Sequence, residues 1–138
     1  MTSIRISVRS FELDALGHVN QAVYHQYAEL ARQAAVEAAG GHFDDLVAGG
    51  IAPVLLESHV VYRRELRGRD VVDVSCDTKF GTGKTFRMEQ SITKADGTLA
   101  AEITCTVGMM DLAARKLVAD PRAALEAIGV DTRKMSDA

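Results

Sequence analysis

The sequence predicts an α+β fold in which one curved antiparallel sheet packs on a single long helix. Three observations carry this expectation. Helical periodicity of apolar residues runs from Asn20 to about Ala39, alternation of period two fills most of 71–109, and Asp96-Gly97 separates two alternating segments as a hairpin turn would. The order of elements, a strand, a long helix and then four strands, suits helices gathered on one face of an antiparallel sheet.

Each element has a local reason. Ile4, Ile6 and Val8 alternate with Arg5, Ser7 and Arg9 in a first strand. In the helix, Gln21, His25, Glu29, Arg32 and Gln33 recur at three- and four-residue steps, a narrow polar stripe among Ala, Val, Leu and Tyr. Alanines at 22, 28, 31, 34, 35, 38 and 39 keep its apolar sides thin enough for a sheet to approach closely, and Gly40-Gly41 ends it. HVVYRRE at 59–65 reads as a second strand. Val72, Val74, Cys76, Thr78 and Phe80 alternate with polar residues in a third, and Phe86, Met88 and Ile92 in a fourth, with Gln90 as the one polar residue in the inward phase. Leu99 to Met109 supplies the fifth. Asp120-Pro121 opens a short helix of about 121–128, with proline at the first helical position, Gly129 closes it, and the final DTRKMSDA is expected to fray.

The bulk properties bound the function. A chain of 138 residues (14.9 kDa) is one domain, 1–138, with a core of about 3–112. Its net charge of -3 and pI near 5.8 offer no basic field, so neither nucleic acid nor membrane is an expected partner. The N-terminal MTSIRISVRSFELD has no continuous apolar run, and a cytoplasmic location is expected. Cys76 and Cys105 share the apolar phase of their strands and read as reduced core residues. The histidines at 18, 25, 42 and 59 have no zinc-site spacing, so no metal is expected.

Two sequence motifs carry polar groups suited to ligand chemistry. GTGKT at 81–85 ends like a phosphate-binding P-loop, but residue 78, where the motif needs its first glycine, is threonine, and Thr85 onward alternates as a strand instead of opening a helix. It therefore reads as a hairpin turn, in which Lys84 can meet a phosphate as a point charge or stay solvated. No GxSxG elbow occurs. The second motif, DALGHVNQAVY at 14–24, places a carboxylate, an imidazole and a carboxamide at the mouth of the long helix. Asn20 is placed to cap that helix, and the first-turn amides, Gln21 among them, lack intrahelical acceptors and carry the positive end of the dipole. Such amides can polarise a carbonyl, with Asp14 approaching as nucleophile or as base toward a water. By residue type alone, Asp14 reads first as a turn aspartate satisfying nearby amides and His18 as a loop histidine bonded to backbone. Glu12 and Glu29 form another nominal carboxylate pair, although Glu29 falls on the polar stripe.

Asp14-x-x-Gly17-His18-Val19-Asn20-x-Ala22-x-Tyr24, followed by Tyr27-x-Glu29-x-Ala31-Arg32, resembles the D-x-x-G-H-V-N-N-A-x-Y…Y-x-E-x-A-R signature of hotdog-fold thioesterases, in the 4-hydroxybenzoyl-CoA thioesterase-like group. The resemblance covers 3 to about 112. It implies a five-stranded antiparallel sheet wrapped around the central helix and hydrolysis of an acyl-CoA thioester with no cofactor, coenzyme A being part of the substrate. Asp14 matches the family's catalytic aspartate, the Gln21 backbone amide its carbonyl-polarising group, and His18 a helper. Asn20 and Tyr24 are implied at the substrate, and the turn of Thr82, Gly83, Lys84 and Thr85 corresponds to a region that contacts pantetheine and phosphates in relatives, with Arg63, Arg64, Arg67 and Arg69 as further phosphate candidates. The family's habit of pairing sheets edge to edge implies a homodimer or a tetramer of two dimers. Plant-type acyl-carrier-protein thioesterases resemble the stretch as D-x-N-x-H-V-N-N, but Leu16 stands at their asparagine position. The alternatives are a non-catalytic acyl-CoA-binding hotdog protein, an acyl-carrier-protein thioesterase, and a hotdog dehydratase using His25 and Glu29.

Overall fold

The computed structural model describes residues 1–136. Its elements run β1 (Thr2–Ser7), a 3₁₀ turn (Ser10–Glu12), α1 (Gln21–Ala38), α2 (Phe43–Ala48), β2 (Ile51–Tyr62), β3 (Val71–Phe80), β4 (Thr85–Lys94), β5 (Leu99–Asp111), β6 (Lys116–Leu117), α3 (Pro121–Ala127) and a second 3₁₀ turn (Thr132–Met135). One antiparallel sheet in the order β1-β3-β4-β5-β2, with β6 added on β5, curls around α1. This is the hotdog architecture, with five long strands and a two-residue sixth.

Period-two alternation becomes a one-sided core. Val72, Val74 and Cys76 of β3, Met88 and Ile92 of β4, and Ile103, Cys105 and Met109 of β5 are buried against Tyr27, Ala28, Ala31 and Ala35 of α1. The alanines let the sheet close on the helix, and α1 packs chiefly on β1 and β3. The inner face toward β2 is therefore less covered by α1, and this asymmetry creates room along the β2 side of the helix. β2 is also a sheet edge, with Pro53 in a position where a missing N–H is tolerable and a bulge between Leu55 and Glu57.

Four local expectations need correction. The second strand begins at Ile51, not near residue 59, and ends at Tyr62, because the LLESHVVY run lacks strict alternation yet pairs continuously with β5 apart from the bulge. The short helix α2 lies between the Gly40-Gly41 stop and β2, where no periodicity marked it. The supposedly frayed tail forms the second 3₁₀ turn and buries Thr132 and Met135; residues 137–138 of that expectation lie outside the described residues. Arg32, assigned to the polar stripe, turns inward instead. Its Nη1 donates to Gln90 Oε1 (3.1 Å) and Cys105 Sγ (3.2 Å), which also explains the polar residue in the inward phase of β4. The Gln90 amide nitrogen donates in turn to the carbonyls of Ala28 (2.8 Å) and Ser75 (3.3 Å). Both cysteines are free and buried, and burial pushes the Cys76 thiol up to about 12.

Candidate active site

The segment before α1 folds into a tight loop. Leu13 bridges Val19, the Asp14 amide donates to the His18 carbonyl (2.7 Å), and the Gly17 amide donates to the Asp14 carbonyl (3.0 Å). Gly17 sits at φ +79°, a conformation that costs an L side chain about 1–2 kcal/mol. Within this loop one carboxylate oxygen of Asp14 accepts the amides of Leu16 (2.9 Å) and His18 (3.1 Å). The turn-aspartate reading is thus correct for Oδ1, while Oδ2 takes no hydrogen bond among the described residues. The two readings of Asp14 are compatible, since the amides aim one oxygen and leave the other available.

The helix mouth adds the second component. Asn20 Oδ1 accepts the Ala22 amide (2.9 Å), the Asn20 carbonyl accepts the Val23 amide (2.9 Å), and the Gln21 N–H, first in the helix, meets no acceptor among the described residues. Asp14, His18, Asn20, Gln21 and Tyr24 all line one hollow of about 470 Å³, closed on its other side by Tyr62, Arg63, Arg64 and Glu65.

Most neighbouring side chains hold this geometry rather than supply reactivity. The imidazole of His18 points to Glu65 (Nε2–Oε2 3.6 Å), and Glu65 is held below the usual carboxylate range first by its hydrogen bonds from Arg67 and then by the charge of His18. Tyr24 is buried, accepts the Leu66 amide on its hydroxyl (3.2 Å) and meets Tyr62 edge to face (4.9 Å between centroids); burial pushes its phenol up.

Tyr62 had no role in the reading from sequence, and Glu12 had only that of a nominal pair with Glu29. Tyr62 donates its hydroxyl to the Gln21 carbonyl (3.1 Å), fastening the end of β2 to the first helical turn. Glu12, 4% exposed, accepts the Tyr27 hydroxyl (2.6 Å), the Arg9 side chain (2.7 Å) and the Arg9 amide (2.8 Å), while its carbonyl accepts the Asn20 amide (2.9 Å). Burial pulls the Glu12 carboxyl up, but these hydrogen bonds outweigh it and hold the group below its ordinary value. It is the clamp between the Asp14 loop and α1. Glu29 is far from this role, exposed and lining a different hollow, so the nominal Glu12–Glu29 pair does not form. The available signal for the clamp was an acidic residue between the apolar Phe11 and Leu13, with Tyr27 on the dry face of the helix.

The turn Thr82–Thr85 lies elsewhere. It joins β3 to β4 at the end of β3 opposite Val71, and β3 spans roughly 33 Å at ~3.3 Å per residue over its 10 residues. The chain alone therefore does not bring Lys84 to Asp14. Of the arginines, Arg63 pairs with Glu102 (2.7 Å) and Arg67 with Glu65 (2.6 Å), whereas Arg64 lines the hollow with no carboxylate within 4 Å among the described residues. No three His, Cys, Asp or Glu side chains gather as metal ligands among the described residues, and no helix there is long and apolar enough to cross a membrane.

A family model of the thioesterase-like superfamily matches residues 8–128, a span that contains the Asp14 loop, α1 and the whole sheet from β2 onward. The chain belongs to this superfamily. It is 30% identical over 116 residues to the long-chain acyl-CoA thioesterase FadM of Escherichia coli (strain K12), covering 83% of this chain and 87% of the relative. Among solved structures it resembles YbaW, a probable thioesterase from Escherichia coli, with a TM-score of 0.84 and 27% identity over 99% of this chain and 100% of that one. The fold is also that of the Staphylococcus aureus protein SAV2348, solved in complex with CoA, at a TM-score of 0.85 and 20% identity over 99% of this chain and 86% of that one. Thioester hydrolysis is therefore the class of chemistry against which the helix-mouth hollow is to be read.

Proposed function

We propose that the protein is an acyl-CoA thioesterase whose reaction takes place between Asp14 and the first amide of α1. The observation that carries this reading is the pairing, in one hollow, of a carboxylate fixed through a single oxygen with a helix N–H that has no acceptor among the described residues. A thioester carbonyl oxygen bound at the Gln21 N–H would be polarised, and the same amide would meet the negative charge that develops on that oxygen in the tetrahedral intermediate. Oδ2 of Asp14 supplies the other half, adding to the carbonyl carbon itself or taking a proton from a water that does so. Collapse breaks the C–S bond and expels coenzyme A as a thiolate; on the nucleophile route this leaves a mixed anhydride on Asp14, which a water then opens to the free acid and the restored carboxylate. Because thiols ionise near ~8.5, that departure needs no strong general acid, consistent with a site in which His18 is turned toward Glu65.

The substrate's remaining contacts call for a second copy of the chain. β2 is an unpaired edge that exposes Leu55 (48%) and Leu56 (47%), features suited to continuing the sheet into another molecule. Antiparallel pairing of two β2 edges about a two-fold axis would set opposite ends of the two sheets together. The Thr82–Thr85 turn of one copy would then approach the Asp14 hollow of the other, adding Lys84 to Arg64 as partners for CoA phosphates. The favoured assembly is a dimer, with a tetramer as a further pairing of dimers.

Thiol release from a panel of aromatic, short-chain and long-chain acyl-CoAs tests the reading. Sustained release over many turnovers on at least one substrate is expected. Stoichiometric acyl-CoA binding without release would instead favour a sensor or accessory protein, and hydration of an enoyl-CoA would favour the dehydratase chemistry of His25 and Glu29.

A further inference from the structure

Both halves of the proposed reaction are anchored on one residue that takes no part in it. Segments 12–14 and 18–20 run antiparallel as a miniature hairpin: the Glu12 carbonyl accepts the Asn20 amide (2.9 Å), Leu13 bridges Val19, and the Asp14 amide donates to the His18 carbonyl (2.7 Å). One arm leads to Asp14 and the other through Asn20 into Gln21, so Glu12, at the base, is common to the carboxylate and the helix amide. Its side chain then ties that base to α1 a second time, at Tyr27, ~9 Å along the axis from Gln21 at ~1.5 Å per residue.

Every polar neighbour of the Glu12 carboxylate is a donor. Oε1 accepts the Tyr27 hydroxyl (2.6 Å) and the Arg9 amide (2.8 Å), and Oε2 accepts Arg9 Nη2 (2.7 Å). The group is buried and does not line the Asp14 hollow. Stability alone is a poor reason to keep it there, because removing a charge from water is costly and apolar residues of similar volume often serve as well. What three donors from two parts of the chain do supply is a fixed place, for the carboxylate and for the hairpin that continues from it.

We propose that Glu12 is a positioning residue for the hydrolysis, setting through Tyr27 and its own carbonyl the gap between Asp14 Oδ2 and the Gln21 N–H. This rests on the assignment of the reaction to those two groups. The thioester carbonyl has to meet both at once, and a misplacement of ~1 Å can cost ~10²-fold in rate while every reacting group stays present. Contacts along the rest of the substrate do not pass through the clamp, so binding is spared.

Steady-state thiol release at neutral pH by the full-length protein, on the acyl-CoA of the panel that turns over fastest, tests the proposal. Tyr27→Phe keeps the buried ring and removes only the hydroxyl; kcat should fall at least ~10-fold with KM within about twofold of native. Glu12→Gln keeps the shape but only one accepting oxygen, and should do the same. The double variant should fall no further than the larger single, since both cut one linkage. Thr132→Val removes a hydroxyl-to-carboxylate hydrogen bond of the same length, to Glu126 (2.6 Å), outside the hollow, and should leave kcat and KM unchanged. Native kcat in folded Tyr27→Phe would overturn the proposal, and that variant decides the matter if Glu12→Gln fails to fold. An equal fall in Thr132→Val would also overturn it, by tracing the loss to stability. A rate lost in Asp14→Asn but kept in Tyr27→Phe leaves the assignment of the reaction standing and removes Glu12 from it, whereas a native rate in Asp14→Asn overturns both.

Discussion

At the N-terminal end of α1 a hollow of about 470 Å³ is walled by Asp14, His18, Asn20, Gln21 and the Tyr62–Glu65 segment; toward the C-terminal end a hollow of about 370 Å³ is walled mainly by methionine, leucine, valine and phenylalanine, with Glu29, Arg32, Gln33 and Glu37 of α1 along one side. Both lie on the β2 side of the helix, which packs chiefly on β1 and β3. Their difference follows from the helix backbone. Only at its first turn does a helix offer amides without acceptors, so only there can the main chain itself polarise a carbonyl. Further along, each backbone group is spent within the helix, and polarity must come from a side chain, as with Arg32. The N-terminal hollow is thus suited to chemistry and the other to binding.

The largest expected effect is on the first side of this contrast. Asp14→Asn keeps an oxygen to accept the Leu16 and His18 amides but has no nucleophile or base, so kcat should fall by ~10²–10⁴ with the melting temperature little changed. A rate within a few-fold of native would break the contrast by removing chemistry from the N-terminal hollow.

Next is the clamp that holds that hollow together. Tyr27→Phe removes one of the donors to the buried Glu12 carboxylate and should cost about 1–3 kcal/mol in urea unfolding. Because Glu12 is held below its ordinary 4.5, its contribution is fully present above that pH and is lost as pH falls through the lower folded-state value. Stability measured below pH 4.5 should therefore decline in the native protein, with a smaller decline in Glu12→Gln.

Gly17→Ala places a side chain at φ +79° with nothing within 4 Å to clash, so backbone strain alone should cost about 1 kcal/mol and show as a lower denaturation midpoint. Smallest is Lys84→Ala, expected to raise KM for acyl-CoA a few-fold, less at high salt, without altering kcat.

The contrast between the two hollows also separates what could be read from the sequence. The long strands and α1 were legible because burial on one face imposes its period directly on residue type, and Asn20 and Gly17 were legible because caps and left-handed turns demand particular side chains. Asp14 was legible as a position, yet the sharing of its oxygens between loop and hollow depends on the fold of five consecutive residues. Tyr62 and Glu12 were not legible, since both act across the chain on groups far away in sequence. Arg32 was misplaced because a helical stripe reports which residues are polar but not which way a long side chain bends. The correcting clue was present at Gln90, whose inward phase required a buried partner.

The central claim is that the first amide of α1 polarises the thioester, and Gln21→Pro tests it most directly. Proline at the first helical position removes that N–H and no intrahelical hydrogen bond, and Asn20, at φ -57° and ψ 137°, already has the conformation that a residue before proline prefers. Measured by thiol release on the best acyl-CoA of the panel, kcat should fall by ~10²–10³ while the melting temperature stays within a few degrees of native. A folded Gln21→Pro protein with undiminished kcat would contradict the account.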